Sequence, residues 1–429
     1  MKKVVFRLVL IVILTFTYGC SSDKNDVENE LDVNEPSTLD IDEDVQELEE
    51  ILTDTIVNQT KLFWLYLHHE EIPDATIETE APRRDIIVMN ALFHEYVQKF
   101  KAVNPDLKML VYKDLTSTRS YAVENEVDDE YIPTGVGYQY ANTNHPEWFL
   151  VDENDNRLEY TGYADHWQMD IGNIEYQQFW ADQVGDELVA NGWDGVLMDN
   201  AIYTLDTYHE NVFPKNYETD AEFQFAYKSM LTTINSRLKT DNKIGIANIT
   251  DTRLHPGIWE DYMQQLDGAL DEWWLVFGNG NYLSDYSEGY IPQINEVVVN
   301  ELVDKITLVQ PHTSITDNQG FFYAFASYWL VNNGNTYFSE QEITDAYNDP
   351  SLWRDEYNWN FGEATGNYTQ LENGLYQREF SRALVFVNAS DSGTIQVDLD
   401  TPYLNEVGEE VSSIVVNALS GTVLRKLSE

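Results

Sequence analysis

Acids and amides recur at one kind of place in this chain, just past short apolar runs. Asp114 closes LKMLVYKD, Asp170 closes HWQMD, and Asp199 with Asn200 closes GVLMDN. Asn248 ends KIGIAN, and the pair Asp271 and Glu272 follows GAL. One acid in such a place is ordinary, since Asp also caps turns and helices. Five strands ending this way predict a polar cup above an apolar interior, at the end of a parallel sheet where α/β folds hold their ligands. Carboxylates gathered in a cup repel one another, so one keeps its proton near neutral pH while a partner ionises. That split supplies a general acid and a nucleophile or base, the pairing that breaks a glycosidic bond. Flat rings stand nearby, including Trp64, Tyr112, Trp167, Tyr203, Trp273 and Trp274. Sugar rings stack their apolar faces on such side chains. About half of these rings are accounted for as core, and Trp273 and Trp274 are expected to face a ligand.

The elements that must position these residues alternate between strand and helix, which predicts parallel α/β architecture. Val196, Leu197 and Met198 show no two-residue alternation, as expected of a strand covered on both faces. The expected strands are 61–69, 107–117, 166–173, 195–199, 243–250, 265–277, 306–313 and 336–340. The run 86–105 reads as a helix closed by Pro105, and others lie over 175–192, 220–239, 294–305 and 321–334. Eight strands of this kind predict a (β/α)8 barrel over residues 55–350. From about 351 to 429 short alternating strands and Gly, Asn and Asp turns predict a small antiparallel β-sandwich. The acidic DENDN segment (152–156) has the spacing of a calcium loop but lacks its glycine and terminal glutamate, so a hairpin turn is expected. No nucleotide loop, zinc signature or Ser-His-Asp context is present, and no metal or cofactor is implied.

Four segments together resemble a known group: GWDGVLMDN (192–200), HPEWFLVDENDNRLEY (145–160), MDIGN (169–173) and DEWW (271–274). They are similar to the glycoside hydrolases of the α-galactosidase superfamily, and to glycosyl hydrolase-like family 15 in particular, over roughly residues 60–345. The resemblance implies a nucleophile at the end of strand four, matching Asp199, and an acid/base at the end of strand six, matching Asp271 or Glu272. Neighbouring strand residues point oppositely, so one of the two faces the cup. Glu272 is favoured for its longer arm. Asp114, Asp170, Asn200 and Asn248 would bind hydroxyls or steady charge, with Asp271, Trp273 and Trp274 as further substrate contacts. The expected partner is a carbohydrate substrate, acted on by a monomer. The rival expectation is a glycan-binding surface lipoprotein whose barrel has lost catalysis.

Composition narrows the partners. The 429 residues carry 75 acids against 25 Lys and Arg, a formal net charge of -50. Such a field repels nucleic acids and anionic membranes and disfavours polyanionic substrates. Lys2 and Lys3 precede an apolar run from Val4 to Phe16, and Cys20, the only cysteine, follows Gly19. Residues 1–20 therefore read as a lipoprotein signal peptide with Cys20 as the acylated residue. With no second cysteine, no intramolecular disulfide is possible. Residues 21–54 hold 14 acids and one lysine and read as a disordered tether. The expected location is a membrane-anchored lipoprotein at the outer membrane surface or in the periplasm.

Overall fold

The computed structural model describes residues 59–427 except 210, 345 and 346, so the signal peptide, Cys20 and the tether lie outside the described residues. Strands and helices follow one another as β1 (Phe63–Tyr66), α1 (Asp74–Glu80), β2 (Ile86–Met89), α2 (Tyr96–Val103) and β3 (Lys108–Asp114). A long rim insertion separates β3 from α3 (Ile174–Asn191) and β4 (Gly195–Asp199). Then come α4 (Asp220–Thr240), β5 (Ile244–Asn248), α5 (Ile258–Met263) and β6 (Gly268–Asp271). The set ends with α6 (Tyr290–Leu302), β7 (Ile306–Val309), α7 (Asn318–Val331) and β8 (Thr336–Phe338). The eight strands pair in sequence order, each parallel to the next. A bridge between Leu62 and Phe338 closes the ring, with the Phe338 N–H donating to the Lys61 carbonyl at 2.9 Å. This is a (β/α)8 barrel.

Two elements differ from the sequence reading. Ile86–Met89 is a strand, and only Tyr96–Val103 of the expected 86–105 helix is α-helical. All four residues of β2 are buried, Ile86 and Val88 inside the barrel and Ile87 and Met89 beneath the helices. An unbroken apolar run of that kind has no period to separate strand from buried helix. LKMLVYKD is therefore the third strand. The run expected to be third is instead a rim piece, with His166–Gln168 pairing antiparallel to Ser117–Arg119. The two differences cancel, and GVLMD remains the fourth strand.

Helix boundaries follow local chemistry. Asn173 caps α3 by accepting from the Glu175 and Tyr176 amides, and Gly192 ends it in the left-handed conformation. Thr219 caps α4 through the Glu222 amide. Around DENDN, Asp152 Oδ1 accepts from the amides of Asn154 and Asn156, each at 2.8 Å, and Val151 bridges Arg157. The acidic segment is a tight turn, held by its own first residue.

The C-terminal strands are β9 (Thr369–Gln370), β10 (Tyr376–Glu379), β11 (Ala383–Asn388), β12 (Thr394–Leu404), β13 (Glu410–Asn417) and β14 (Ser420–Lys426). They form one antiparallel sheet in the order β9-β10-β11-β14-β12-β13. Ala383, Val385, Val387 and Val423 turn one face onto α7, against Phe321, Phe325 and Trp329. A Cβ at Gly421 would stand 2.2 Å from the Phe322 carbonyl, so only glycine allows that approach. The opposite face, with Leu384, Phe386 and Leu424, clusters with Ile395, Val397, Tyr403 and Val416 of β12 and β13. The two-layered core expected of a sandwich is thus built from a single hydrogen-bonded sheet, whose pairing shifts register between Asp398 and Tyr403.

Candidate active site

The barrel interior is filled by one face of each strand, with Leu110, Leu197, Ile246 and Leu270 among its members. Two residues further along β3, β4 and β5, and just beyond β6, the same face carries Tyr112, Asp199, Asn248 and Glu272. The apolar core thus gives way to polar side chains at the carboxyl ends of consecutive strands. Gly195 and Gly268, which open β4 and β6, permit close strand approach at the other end. A Cβ there would stand 2.2 Å and 2.6 Å from the carbonyls of Ile244 and Ile306.

Above these residues opens a cavity of about 590 Å³, lined by Tyr112, Asp199, Asn248, Glu272 and Trp273 and walled by the rim loops. Asn248 Nδ2 donates to both acids, to Asp199 Oδ1 at 3.1 Å and to Glu272 Oε2 at 2.8 Å. Asp199 also accepts from the Tyr112 hydroxyl at 2.6 Å and from the Asn200 amide at 2.8 Å. Glu272 Oε1 accepts from the Tyr347 hydroxyl. Burial raises the pKa of both carboxyls, helped at Asp199 by the charge of Asp114 and at Glu272 by that of Asp199. Three donors oppose that rise at Asp199 and two at Glu272.

A second layer fixes the first. Asp114 is fully buried and accepts from Arg119 Nη2 at 2.8 Å, Asn200 Nδ2 at 2.9 Å, and the amides of Thr116 and Ser117. Asn200 sits in the left-handed region at φ 61° and accepts from the Tyr208 hydroxyl at 2.7 Å. Trp273 stacks on His312 with centroids 3.6 Å apart, and His312 Nε2 donates to the Glu272 carbonyl at 2.8 Å. Burial lowers the His312 pKa to about 4, so the ring under Trp273 is neutral.

Residues 101–384, more than half of the chain, match the family described as hypothetical glycosyl hydrolase family 15. The chain belongs to that family. Membership makes this barrel a glycoside hydrolase. No curated protein matches the chain. Among solved structures, the glycoside hydrolase domain of PelA from Pseudomonas aeruginosa is 12% identical, with 69% of this chain and 98% of that one covered, at a TM-score of 0.44. The maltogenic α-amylase AmyB from Thermotoga neapolitana is 10% identical, covers 86% of this chain and 99% of its own, and scores 0.47. A GH31 family sulfoquinovosidase from E. rectale is 11% identical over 89% of this chain and 65% of its own, scoring 0.48.

Several residues expected at the family member's site lie elsewhere. Asp199, Asn200, Asn248, Glu272 and Trp273 line one cavity, while Asp114 stands behind it. Asp271 does not line it. The residue is 1% exposed on the outer side of β6, where it accepts from Gln293 Nε2 at 2.7 Å. Trp274 is fully buried in the core beside α6 and α7, because the chain turns after Trp273 and Leu275 adopts φ 60°. Asp170 belongs to a separate cavity of about 740 Å³, accepting there from Tyr217 at 2.5 Å and Asn216 at 2.8 Å. It follows a rim strand, so no barrel position aims it at the cup. Arg119, Tyr208 and Tyr347 went unseen in the sequence. They come from the rim and from beyond β8, where no periodic pattern marks them.

Proposed function

We propose that the enzyme hydrolyses O-glycosidic bonds of an oligo- or polysaccharide with retention of configuration, Asp199 acting as nucleophile and Glu272 as acid/base. The observation that carries this reading is the shared amide of Asn248. One NH2 group donating to both acids keeps the two carboxyls close together, in keeping with the short separation of a retaining pair. In the first step, Asp199 attacks the anomeric carbon while Glu272 protonates the departing oxygen. In the second, Glu272 takes a proton from water, which attacks the same carbon and releases Asp199. Tyr112 and the Asn200 amide hold the nucleophile on one side. Asn248 Oδ1 is buried and has no hydrogen-bond partner among the described residues. Trp273 offers a ring face. The resemblance to the α-galactosidase superfamily points to Asp199 and to either Asp271 or Glu272, and of that pair Glu272 is the one lining the cavity.

Asp199→Asn tests the reading on a glycan that the wild type cleaves. Turnover should fall about 10³-fold or more, as for other lost nucleophiles, with binding retained. Activity within about tenfold of wild type, the spread of a merely supporting residue, would remove Asp199 from the role.

The signal peptide and Cys20 extend the proposal to a lipid-anchored enzyme at the cell envelope. Among the described residues no helix is long and apolar enough to cross a membrane. Cys20→Ser should release the protein from the membrane fraction. A variant that stays bound would contradict the anchor.

A further inference from the structure

The charges around the cavity bear on which glycans it admits. Besides the two acids already assigned, one more carboxylate lines it, Asp251, whose side chain is half exposed. Its backbone is held in the left-handed region at φ 60°, just past Thr250, whose carbonyl takes the Tyr203 hydroxyl at 2.8 Å. Arg253 approaches Asp251 only at 3.5 Å, and its Nη1 donates to the Glu288 carbonyl at 2.8 Å.

The single Arg or Lys among the lining residues is Arg119. It is taken up by Asp114 at 2.8 Å, with its other nitrogen on His166 and the Tyr121 hydroxyl. His166 is kept neutral by burial and by that guanidinium. Six tyrosines and Trp273 complete the wall. Aromatic faces and an excess of carboxylate attract a cation, and low-dielectric walls focus the field of a chain whose formal charge is -50.

We propose that the substrate is a glycan bearing protonated amino groups, an N-unsubstituted amino-sugar oligomer or polymer, with Asp251 and the neighbouring tyrosine faces holding an ammonium. This rests on the hydrolase reading above. A neutral sugar reaches Asp251 only through hydroxyl hydrogen bonds, without the charge pairing an ammonium adds, and a uronate or sulfated sugar meets Asp199 and Asp251 in the cavity and the repulsion of the whole chain. The steering also has a kinetic side: a polycation is drawn toward the cup at low ionic strength and released as salt screens the field.

The test measures binding to the Asp199→Asn protein, so that no turnover is needed. The probes are glucosamine and galactosamine oligomers and their N-acetylated counterparts, which match them in shape but lack the charge. At least one free-amine oligomer should bind about tenfold or more tightly than its acetylated match at low salt, with the advantage shrinking as salt rises. Adding Asp251→Asn should weaken the free-amine oligomer about five- to tenfold and leave the acetylated one unchanged. That variant alters the overall charge by a single unit, so a selective loss separates cavity binding from general attraction of a polycation. Equal binding of the two series, or indifference to Asp251→Asn, overturns the inference. Wild-type turnover on the same panel reads the other claim. Preference for the amine with no cleavage supports the charge inference and overturns the hydrolase reading, whereas cleavage of acetylated and free chains alike supports the hydrolase and overturns the inference.

Discussion

Strand β6 separates two groups of buried acids. On its inner side Glu272 meets Asp199 through the amide of Asn248, under an open cavity. On its outer side Asp271 accepts from Gln293 at 2.7 Å and Thr250 at 3.3 Å, near Glu296, which accepts from Thr252 at 2.5 Å. Burial raises the carboxyl pKa in both groups, Asp271 to about 7 and Glu296 well above its ordinary range. By titration alone the outer acids look as catalytic as the inner ones. What separates them is access. The outer pair is buried between β6 and α6, Glu296 being on the helix itself, and Asp271 serves the structure by holding Gln293. That glutamine also accepts from the Leu275 amide at 3.0 Å and donates to the Trp273 carbonyl at 3.2 Å. Asp271 thus fixes the turn that presents Glu272 and Trp273. A perturbed pKa marks burial, and a catalytic role additionally needs a reachable cavity.

The comparison breaks most visibly by exchanging the two neighbours. Glu272→Gln should lower kcat about 10²- to 10⁴-fold on substrates with poor leaving groups, the scale of a lost general acid. Asp271→Asn should stay within about tenfold of wild type, as expected for a group that positions without touching substrate. If the two variants exchange these outcomes, the acid role passes to Asp271.

A smaller effect sharpens the same contrast through pH. Asp271 rises from 3.8 in an unperturbed chain to about 7 in the fold. Between those values the native state holds a proton that the unfolded chain has lost, so stability falls as pH rises from about 4 to about 7 and this contribution is level above. Asn at 271 cannot titrate. Thermal unfolding across that window should therefore show a shallower fall in Tm for Asp271→Asn than for wild type. Parallel profiles would mean that Asp271 is not protonated in the fold.

The sequence carried the inner cup well, for a physical reason. Strand alternation ties Leu197 to Asp199, Ile246 to Asn248 and Leu270 to Glu272, so the residue that fills the barrel predicts which residue two positions on faces the cavity. The same rule turns Asp271 outward. It had no purchase on Asp170, which follows a rim strand, or on Trp274, whose direction depends on a turn held by Gln293. Ile86–Met89 was hidden because a strand buried on both faces shows no alternation. Arg119, Tyr208 and Tyr347 reach the cup from loops, whose paths depend on tertiary packing rather than on local pattern. The site was legible where strand alternation continued past the strand end.

The central claim is that Asp199 forms a covalent bond to sugar, with Glu272 serving both halves of the reaction. Removing the acid/base as Glu272→Ala while supplying a substrate with a good leaving group lets the first step proceed and stalls the second. Peptide mass mapping of that protein after turnover tests the claim most directly. The account predicts a glycosyl adduct on the peptide carrying Asp199, absent when Asp199 is also replaced. An unmodified Asp199 peptide accompanied by an inverted product, or an adduct on another carboxylate, would contradict it.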